Sequence, residues 1–466
     1  MRTVRIGGGL GFYGDSLVPA LEMAERGEVQ YIAFDHLAEL TLAILQKDRQ
    51  RDPSLGYTRD LIPLMASILP VARRKGIRLV TNAGGLNPLE AAQVVARLAG
   101  QLGLSLRIGV VAGDDLLGRL DELRGAGADL AHADTGEPLE TVRDRLVFAN
   151  AYLGALPIAR ALAQGAHVVI TGRVADSALF LGPILHELGW VLPAPGGAEP
   201  DASPAAWDRI AVGVVAGHLL ECSGQVTGGN HSGNWAEVPD LDRIGFPVAE
   251  VGEDGTLRIT KVPGTGGRVN FDTVREQLLY EVHDPSAYHT PDVTVDLTGV
   301  ELDEVGPDTV RVRGVRGRRP PSAYKVVMGY RDGFLGQGVV GFSWPDALRK
   351  AEAAAEILRR QAGARRLPIE EFRVEYLGLD SLHGPLASRR HAEDLNEVYL
   401  RVAVRTRSRE AAEAFARLLP PLGLSGPPTA SGFIGVDRVR ELLGVWPTRV
   451  PREWVDPFVE VQVMEV

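Results

Sequence analysis

Short apolar runs alternate with amphipathic stretches over the first 190 residues. Val4 to Ile6, Tyr31 to Phe34, Ile77 to Val80, Leu106 to Val111 and His167 to Ile170 are brief and nearly continuously apolar. That is the pattern of parallel strands covered on both faces. Helical periodicity separates them, from about Asp15 to Arg26 and again up to Lys75, and a further helix is predicted from Ala205 to Glu221. Between Phe246 and Phe342 the period drops to two. Val248 to Val251 and Thr256 to Thr260 flank Gly252-Glu253-Asp254-Gly255 as a hairpin, with half-exposed strands at Val293 to Leu297 and Val310 to Arg313. A helix from Asp346 to Gln361, a strand from Glu397 to Val404 and a helix from Arg409 to Leu419 follow. The pattern predicts an α/β fold: a mostly parallel, Rossmann-like open sheet with helices on both faces over residues 1–240. Residues 241–466 are expected to form a mixed lobe, β-rich and then α+β, packed as one body with the first. The clear strands fall short of the eight that a barrel needs.

Composition narrows the partners. The chain has 50 basic and 60 acidic residues, a net charge of −10. A surface built to neutralise phosphates over a long path leans the other way, so nucleic acid is not expected. Cys222 is the single cysteine and forms no internal disulfide, which fits a reducing cytoplasm. No apolar run approaches the roughly 18 residues that span a bilayer, so no membrane role is expected. Lysine and asparagine are scarce beside 30 prolines, a bias of GC-rich genomes and of hot habitats that disfavour labile amides. The remaining asparagines are therefore informative. Asn82, Asn87, Asn230, Asn234 and Asn270 stand in glycine-rich stretches, and Asn150 stands apart from them.

The segments after the five strands share one chemistry. They read Gly7-Gly8-Gly9-Leu10-Gly11-Phe12-Tyr13-Gly14-Asp15-Ser16, then Asp35-His36-Leu37-Ala38-Glu39, then Asn82-Ala83-Gly84-Gly85-Leu86-Asn87-Pro88. Gly113-Asp114-Asp115 and Thr171-Gly172-Arg173-Val174-Ala175-Asp176-Ser177 complete the set. In a parallel sheet these loops meet along one edge, where ligands bind. Gly9-x-Gly11-x-x-Gly14 with Asp35 matches a dinucleotide fingerprint in form, but two extra glycines precede it and Val18 stands where a small residue is preferred. Two later stretches are equally polar: Gln225 to His231, carrying Asn230 and His231, and Lys261 to Asn270, carrying Gly266 and Gly267. The second lacks the order of a nucleotide P-loop, yet its amides could nest an anion beside Lys261 and Arg268. His36 and His231 suit acid–base work. Asp35, Glu39, Asp114 and Asp115 are the oxygens available to a divalent cation such as magnesium. No zinc pattern occurs. Cys222 has no evident base to activate it. The five arginines from Arg311 to Arg319 form the one basic run, read as a solvated hairpin with phosphate-seeking chemistry as the alternative.

Taken in order, these loops resemble the acyclic terpene utilisation (AtuA) family. The likeness rests on Gly11 to Ser16, Asp35 to Thr41, Asn82 to Pro88, Gly113 to Leu116, Thr171 to Ser177, Gln225 to Asn230 and Lys261 to Gly267. Longer members carry an additional C-terminal ferredoxin-like domain, expected to be missing here. The resemblance implies a place in the breakdown of branched isoprenoid acids, such as citronellic and geranic acids, as coenzyme A thioesters. It brings no catalytic residues with it. The expectation is an enzyme acting on an acyl-CoA or carboxylate by hydration, dehydration or carbon–carbon lyase chemistry. Asp35 or His36 would be the base, Glu39 or Asp114 its partner or the acid, and amides around Gly84-Gly85 and Gly266-Gly267 an oxyanion site. Arg173 would take the substrate carboxylate. Asp15, Asn82, Asn87, Asp115, Asp176, Asn230, His231, Lys261 and Asn270 complete the candidate binding set. A homo-oligomer is expected. The rival readings are an NAD-dependent oxidoreductase and a non-catalytic partner of an acyl-CoA carboxylase complex.

Overall fold

The computed structural model describes residues 2–193, 203–436 and 438–466. By their contacts these fall into two units. Met1–Thr141, Leu146–Gly329 and Val445–Val466 form one, and Val142–Arg145 with Tyr330–Gly444 form the other.

The first unit is built on a ten-stranded mixed sheet. Its strands include β1 (Thr3–Leu10), β2 (Tyr31–Phe34), β3 (Arg78–Thr81) and β4 (Arg107–Ala112). β5 (Leu146–Ala151) lies off this sheet, and β6 (Val168–Thr171), β7 (Pro247–Gly252) and β8 (Leu257–Lys261) return to it. The order is Glu301–Gly306, Thr309–Arg313, β8, β7, β1, β2, β3, β6, β4, Glu460–Glu465. β1, β2, β3, β6 and β4 are mutually parallel through four pairings, and the other five pairings are antiparallel. The expectation of a mostly parallel sheet is thus corrected to a mixed one. The hairpin β7–β8 forms as its alternation predicts, but β7 docks antiparallel on β1, Thr3 opposite Gly252. Glu460–Glu465 adds to β4 from the far end of the chain, a pairing that no local period announces.

Strand alternation explains why the parallel runs read as continuously apolar. Ile32, Phe34, Leu79, Ile108, Val110, Val168 and Ile170 share one core with Met23, Leu64, Ile68 and Val95 from the helices Leu17–Arg26, Leu61–Lys75 and Pro88–Gln101. Tyr31 points the other way, its hydroxyl donating to Glu187 Oε1 at 2.6 Å in the helix Ala178–Leu188. Each strand therefore buries both faces. β6 sits between β3 and β4, so the chain leaving β3 enters one helical layer and the chain leaving β6 enters the other. The carboxyl ends of β3 and β6 flank the crevice this divergence opens.

The second unit is an antiparallel sheet under two helices. Phe334 to Ser343 pairs with Glu397–Thr406, which pairs in turn with Glu371–Leu377. Val340, Phe342, Leu358, Leu400, Val402 and Phe415 form its core, with Ala347–Ala364 and Arg409–Ala416 supplying the helical side. No helix among the described residues is long and apolar enough to cross a membrane.

Candidate active site at the carboxyl edge

The loops after β2, β4 and β6 meet at Arg173, which is 2 % exposed. It follows β6, and its backbone nitrogen donates to Asp114 Oδ2 at 2.8 Å. Asn150 Nδ2 reaches the same oxygen at 2.8 Å. Gly172 cannot be anything larger, because a Cβ there would stand 2.2 Å from Asp114 Oδ1. The Arg173 guanidinium donates to the carbonyl of Leu37, pairs with Asp176 Oδ1 at 2.8 Å and lies 3.9 Å from the ring centroid of Tyr152. Burial pulls the guanidinium down, but Asp176 and the other neighbouring acids outweigh it and keep the charge fixed.

The loop after β2 is braced by the loop after β3. Asn82, fully buried, donates from Nδ2 to Asp35 Oδ1 at 2.7 Å and accepts the His36 amide on Oδ1 at 2.7 Å. Burial and the nearby Asp176 carboxylate hold Asp35 well above the usual carboxylate range, against the pull of Arg173 and Asn82. Such a group keeps its proton to higher pH, which suits a donor better than the base expected from sequence. His36 is also fully buried. Its Nδ1 meets Thr81 Oγ1 at 3.2 Å, its Nε2 lies 3.7 Å from Asp60, and burial lowers its pKa so that it stays neutral. Glu39 opens the helix Glu39–Arg51 and accepts from Tyr152 at 2.6 Å and Lys325 at 3.3 Å. Burial alone would raise this carboxyl, yet Tyr152 and Lys325, helped by a backbone hydrogen bond and Arg173, bring it down to about 2. Glu39 is therefore a fixed anion near neutral pH, not the proton donor that its motif suggested. Asp114, buried and paired only with neutral donors, is pushed up to about 7.

This cluster backs onto a cavity of about 1250 Å³, into which Tyr152, Asp176, Ser177, Glu281, Tyr288 and Lys325 protrude. Behind Tyr288 lies the buried pair His218–Glu221, with Nδ1 to Oε1 at 3.1 Å, the His218 and Tyr288 ring centroids being 5.1 Å apart. Glu221 is raised by burial and adds its field to that of Asp35 and Asp176.

The remaining candidates have partners elsewhere. Asp15 accepts Gly11 N at 3.0 Å and Ser223 Oγ at 2.9 Å, so the amide a dinucleotide phosphate would use already holds a carboxylate. Gly7, Gly8 and Gly9 lie inside β1. Asn87 ties down the carbonyls of Pro53 and Leu55. Asp115 turns to Leu117 N and Arg49, beside a separate cavity of about 420 Å³. Asn230 is exposed, and His231 pairs with Glu276 at 2.6 Å. Lys261 secures Thr265 O and Asp308, and Asn270 caps the helix Phe271–Leu279 by accepting Thr273 N at 3.0 Å. Three of the four proposed oxyanion amides are engaged as well: Gly85 N donates to Asn82 O, Gly266 N to Arg243 O and Gly267 N to Pro239 O. Asp35, Glu39, Asp114 and Asp115 do not converge. Among the described residues no group of three or more His, Cys, Asp or Glu is placed to hold a metal.

Sequence reasoning missed Tyr152, Lys325, Tyr288, Glu221 and His218. Asn150 carried a signal, as a rare asparagine outside the glycine-rich loops; the others carried none. Residues 4–461 match the acyclic terpene utilisation family protein AtuA. The chain belongs to this family. No curated protein and no solved structure matches it.

Proposed function

We propose that this family member is an enzyme working on the carboxylate or acyl-CoA derivative of a branched isoprenoid acid by proton transfer. The reaction class it fits is hydration, dehydration or carbon–carbon cleavage. The observation that carries the reading is Asp176: it stands on the wall of the large cavity, ion-paired with Arg173, and its charge raises the buried carboxyl of Asp35. Burial keeps the proton on Asp35, and Asp176 stands nearer the cavity. Asp176, facing the cavity, serves as the base that touches substrate. Asp35 is the proton reserve behind it, and Arg173 keeps the pair from repelling. Tyr288 offers its phenol hydroxyl to a developing oxyanion, and burial holds the phenol protonated.

The test is turnover of a branched unsaturated acyl-CoA, or of the free acid, by the Asp176→Asn protein. A loss of more than about a hundredfold in kcat, in a variant whose circular dichroism shows it still folded, is the expected result. Undiminished turnover removes Asp176 from the chemistry and with it this reading.

A further inference from the structure

The parallel strands carry different chemistry at their two ends. Carboxyls and asparagines gather at the carboxyl ends, arginine and histidine at the amino ends. Leu79 in β3, Val168 in β6 and Ile108 in β4 stand side by side and point into the core shared with the helix Leu61–Lys75. One residue earlier on each strand stand Arg78, His167 and Arg107. Alternation turns all three to the opposite face. Backbone bonds fix the row: His167 O accepts Leu79 N at 2.9 Å, and Arg107 O accepts His167 N at 2.8 Å. Neighbouring strands lie about 4.8 Å apart, so the two arginines flank His167 within the reach of their side chains. Tyr31 continues the row beside Arg78, and Glu465 ends it beside Arg107.

Like charges side by side across a sheet repel, and the neighbours of this row neutralise only part of it. Arg107 pairs with Glu465 at 3.0 Å. Arg78 has no carboxylate among the described residues: its Nη1 donates to Tyr31 Oη at 3.3 Å and to His186 Nε2 at 2.9 Å. Glu187, next to His186, already accepts the Tyr31 hydroxyl at 2.6 Å. Arg73, in the last turn of the helix Leu61–Lys75, has no side-chain partner among the described residues, whereas Arg74 and Lys75 share Glu25. Burial, and then the fields of Arg73, Arg78 and Arg107, lower the pKa of His167, so all three guanidiniums act on that one ring. The ring answers as a neutral donor. Its Nδ1 accepts the Arg107 amide at 2.9 Å, which places the imidazole proton on Nε2. Arg73, Arg78 and His167 are half-buried and Arg107 is exposed, so the group is open to solvent.

We propose that Arg73, Arg78 and Arg107, with the Nε2 proton of His167, hold a phosphoryl group at the amino edge of β3, β6 and β4. A dianion engages several guanidinium forks at once and relieves their mutual repulsion. His167 precedes β6 and Arg173 follows it, so this site is separate from the acid–base cluster and does not depend on it. The experiment is titration of the full chain with inorganic phosphate, phenyl phosphate and acetate, read by calorimetry and by the ring nitrogen resonances of histidine-labelled protein. A phosphoryl ligand should bind and raise the pKa of His167, with acetate about tenfold weaker. Tighter binding of inorganic phosphate would identify the free ion as the source of the group, and tighter binding of phenyl phosphate a phosphoester. Arg78→Gln should weaken binding about tenfold, as loss of a charged hydrogen bond does. Arg73→Gln, which removes no side-chain contact, should weaken it about threefold and decides the matter if Arg78→Gln does not fold. Acetate bound as tightly as phosphate would overturn the phosphoryl assignment. Binding that leaves the His167 resonances unmoved, or that is equal in the parent and Arg73→Gln, would overturn the site, as would no binding at all.

Discussion

Arg173 holds Asp114 by its backbone and not by its charge: the amide donates to Oδ2 at 2.8 Å while the guanidinium turns away to Asp176 and Leu37. Asp114 thus receives neutral donors in a buried place. That is why its carboxyl sits near 7, where a counter-charge at this distance would have pulled it down.

The consequence is a pH dependence of stability. The unfolded chain ionises Asp114 near 3.8, the folded chain near 7. A carboxyl raised on folding stabilises the folded state while it is protonated. Its contribution is full below the unfolded value and is lost as pH rises through about 7, at about 1.4 kcal/mol per unit of separation. Asp114→Asn keeps an acceptor for Arg173 N and Asn150. It should flatten the fall in melting temperature between about pH 4 and pH 7, measured against the parent in matched buffers. An identical slope in both proteins would show that Asp114 ionises like a free carboxyl.

Arg173 itself should be among the least replaceable residues. Arg173→Ala leaves Asp35 and Asp176 facing one another without a cation, and breaking a buried pair of this kind costs about 3–5 kcal/mol. Arg173→Lys keeps the charge but cannot reach Leu37 O and Asp176 together while lying on Tyr152, so an intermediate loss is expected. Urea unfolding of the two variants decides the point. Equal losses would mean that fork geometry, and not charge, is what matters.

Much of this was legible in the chain and some was not. Tyr31 to Phe34 is read to the residue because a fully buried strand is a continuous apolar run. The loops that gather around Arg173 were legible because Gly, Asn and Asp collect where a parallel sheet ends. What stayed hidden is pairing between distant segments. Nothing near Glu460–Glu465 says that it edges β4. Lys325 and Tyr152 read as ordinary strand and loop residues until folding sets both beside Glu39. The glycine stretches misled for a physical reason. Glycine marks close approach as readily as ligand binding: Gly11 faces Ser223 Oγ, where a Cβ would stand 2.8 Å away.

Tyr152→Phe tests the anion at Glu39. With the 2.6 Å hydrogen bond gone, burial acts on Glu39 against Lys325, its own backbone hydrogen bond and Arg173, and its pKa should rise from about 2 toward the ordinary value of 4.5. A depressed carboxyl stabilises the fold above its unfolded value and loses that contribution as pH falls through the folded one. The variant should therefore unfold at higher pH on acidification, with a loss of about 1 kcal/mol near neutrality from the missing bond. Circular dichroism followed from pH 6 to pH 2 reads both. An unshifted acid midpoint would mean that the cations Lys325 and Arg173 and the backbone bond carry the effect.

Asn270 separates structural polarity from functional polarity in these loops. Its Oδ1 accepts Thr273 N at 3.0 Å while Thr273 Oγ1 accepts the Asn270 amide at 3.2 Å, a reciprocal cap on the helix Phe271–Leu279. Removing a capping side chain costs about 1 kcal/mol. The helix Phe271–Leu279 ends shortly before Glu281, which lines the cavity, so fraying at its first turn has no direct route to substrate. Asn270→Ala should lower the melting temperature by a few degrees, leave kcat unchanged and be restored by Asn270→Asp or Asn270→Ser, which cap equally well. A fall in kcat that neither replacement restores would place the Asn270 amide in the site after all and reopen the Lys261–Asn270 loop as a ligand-binding element.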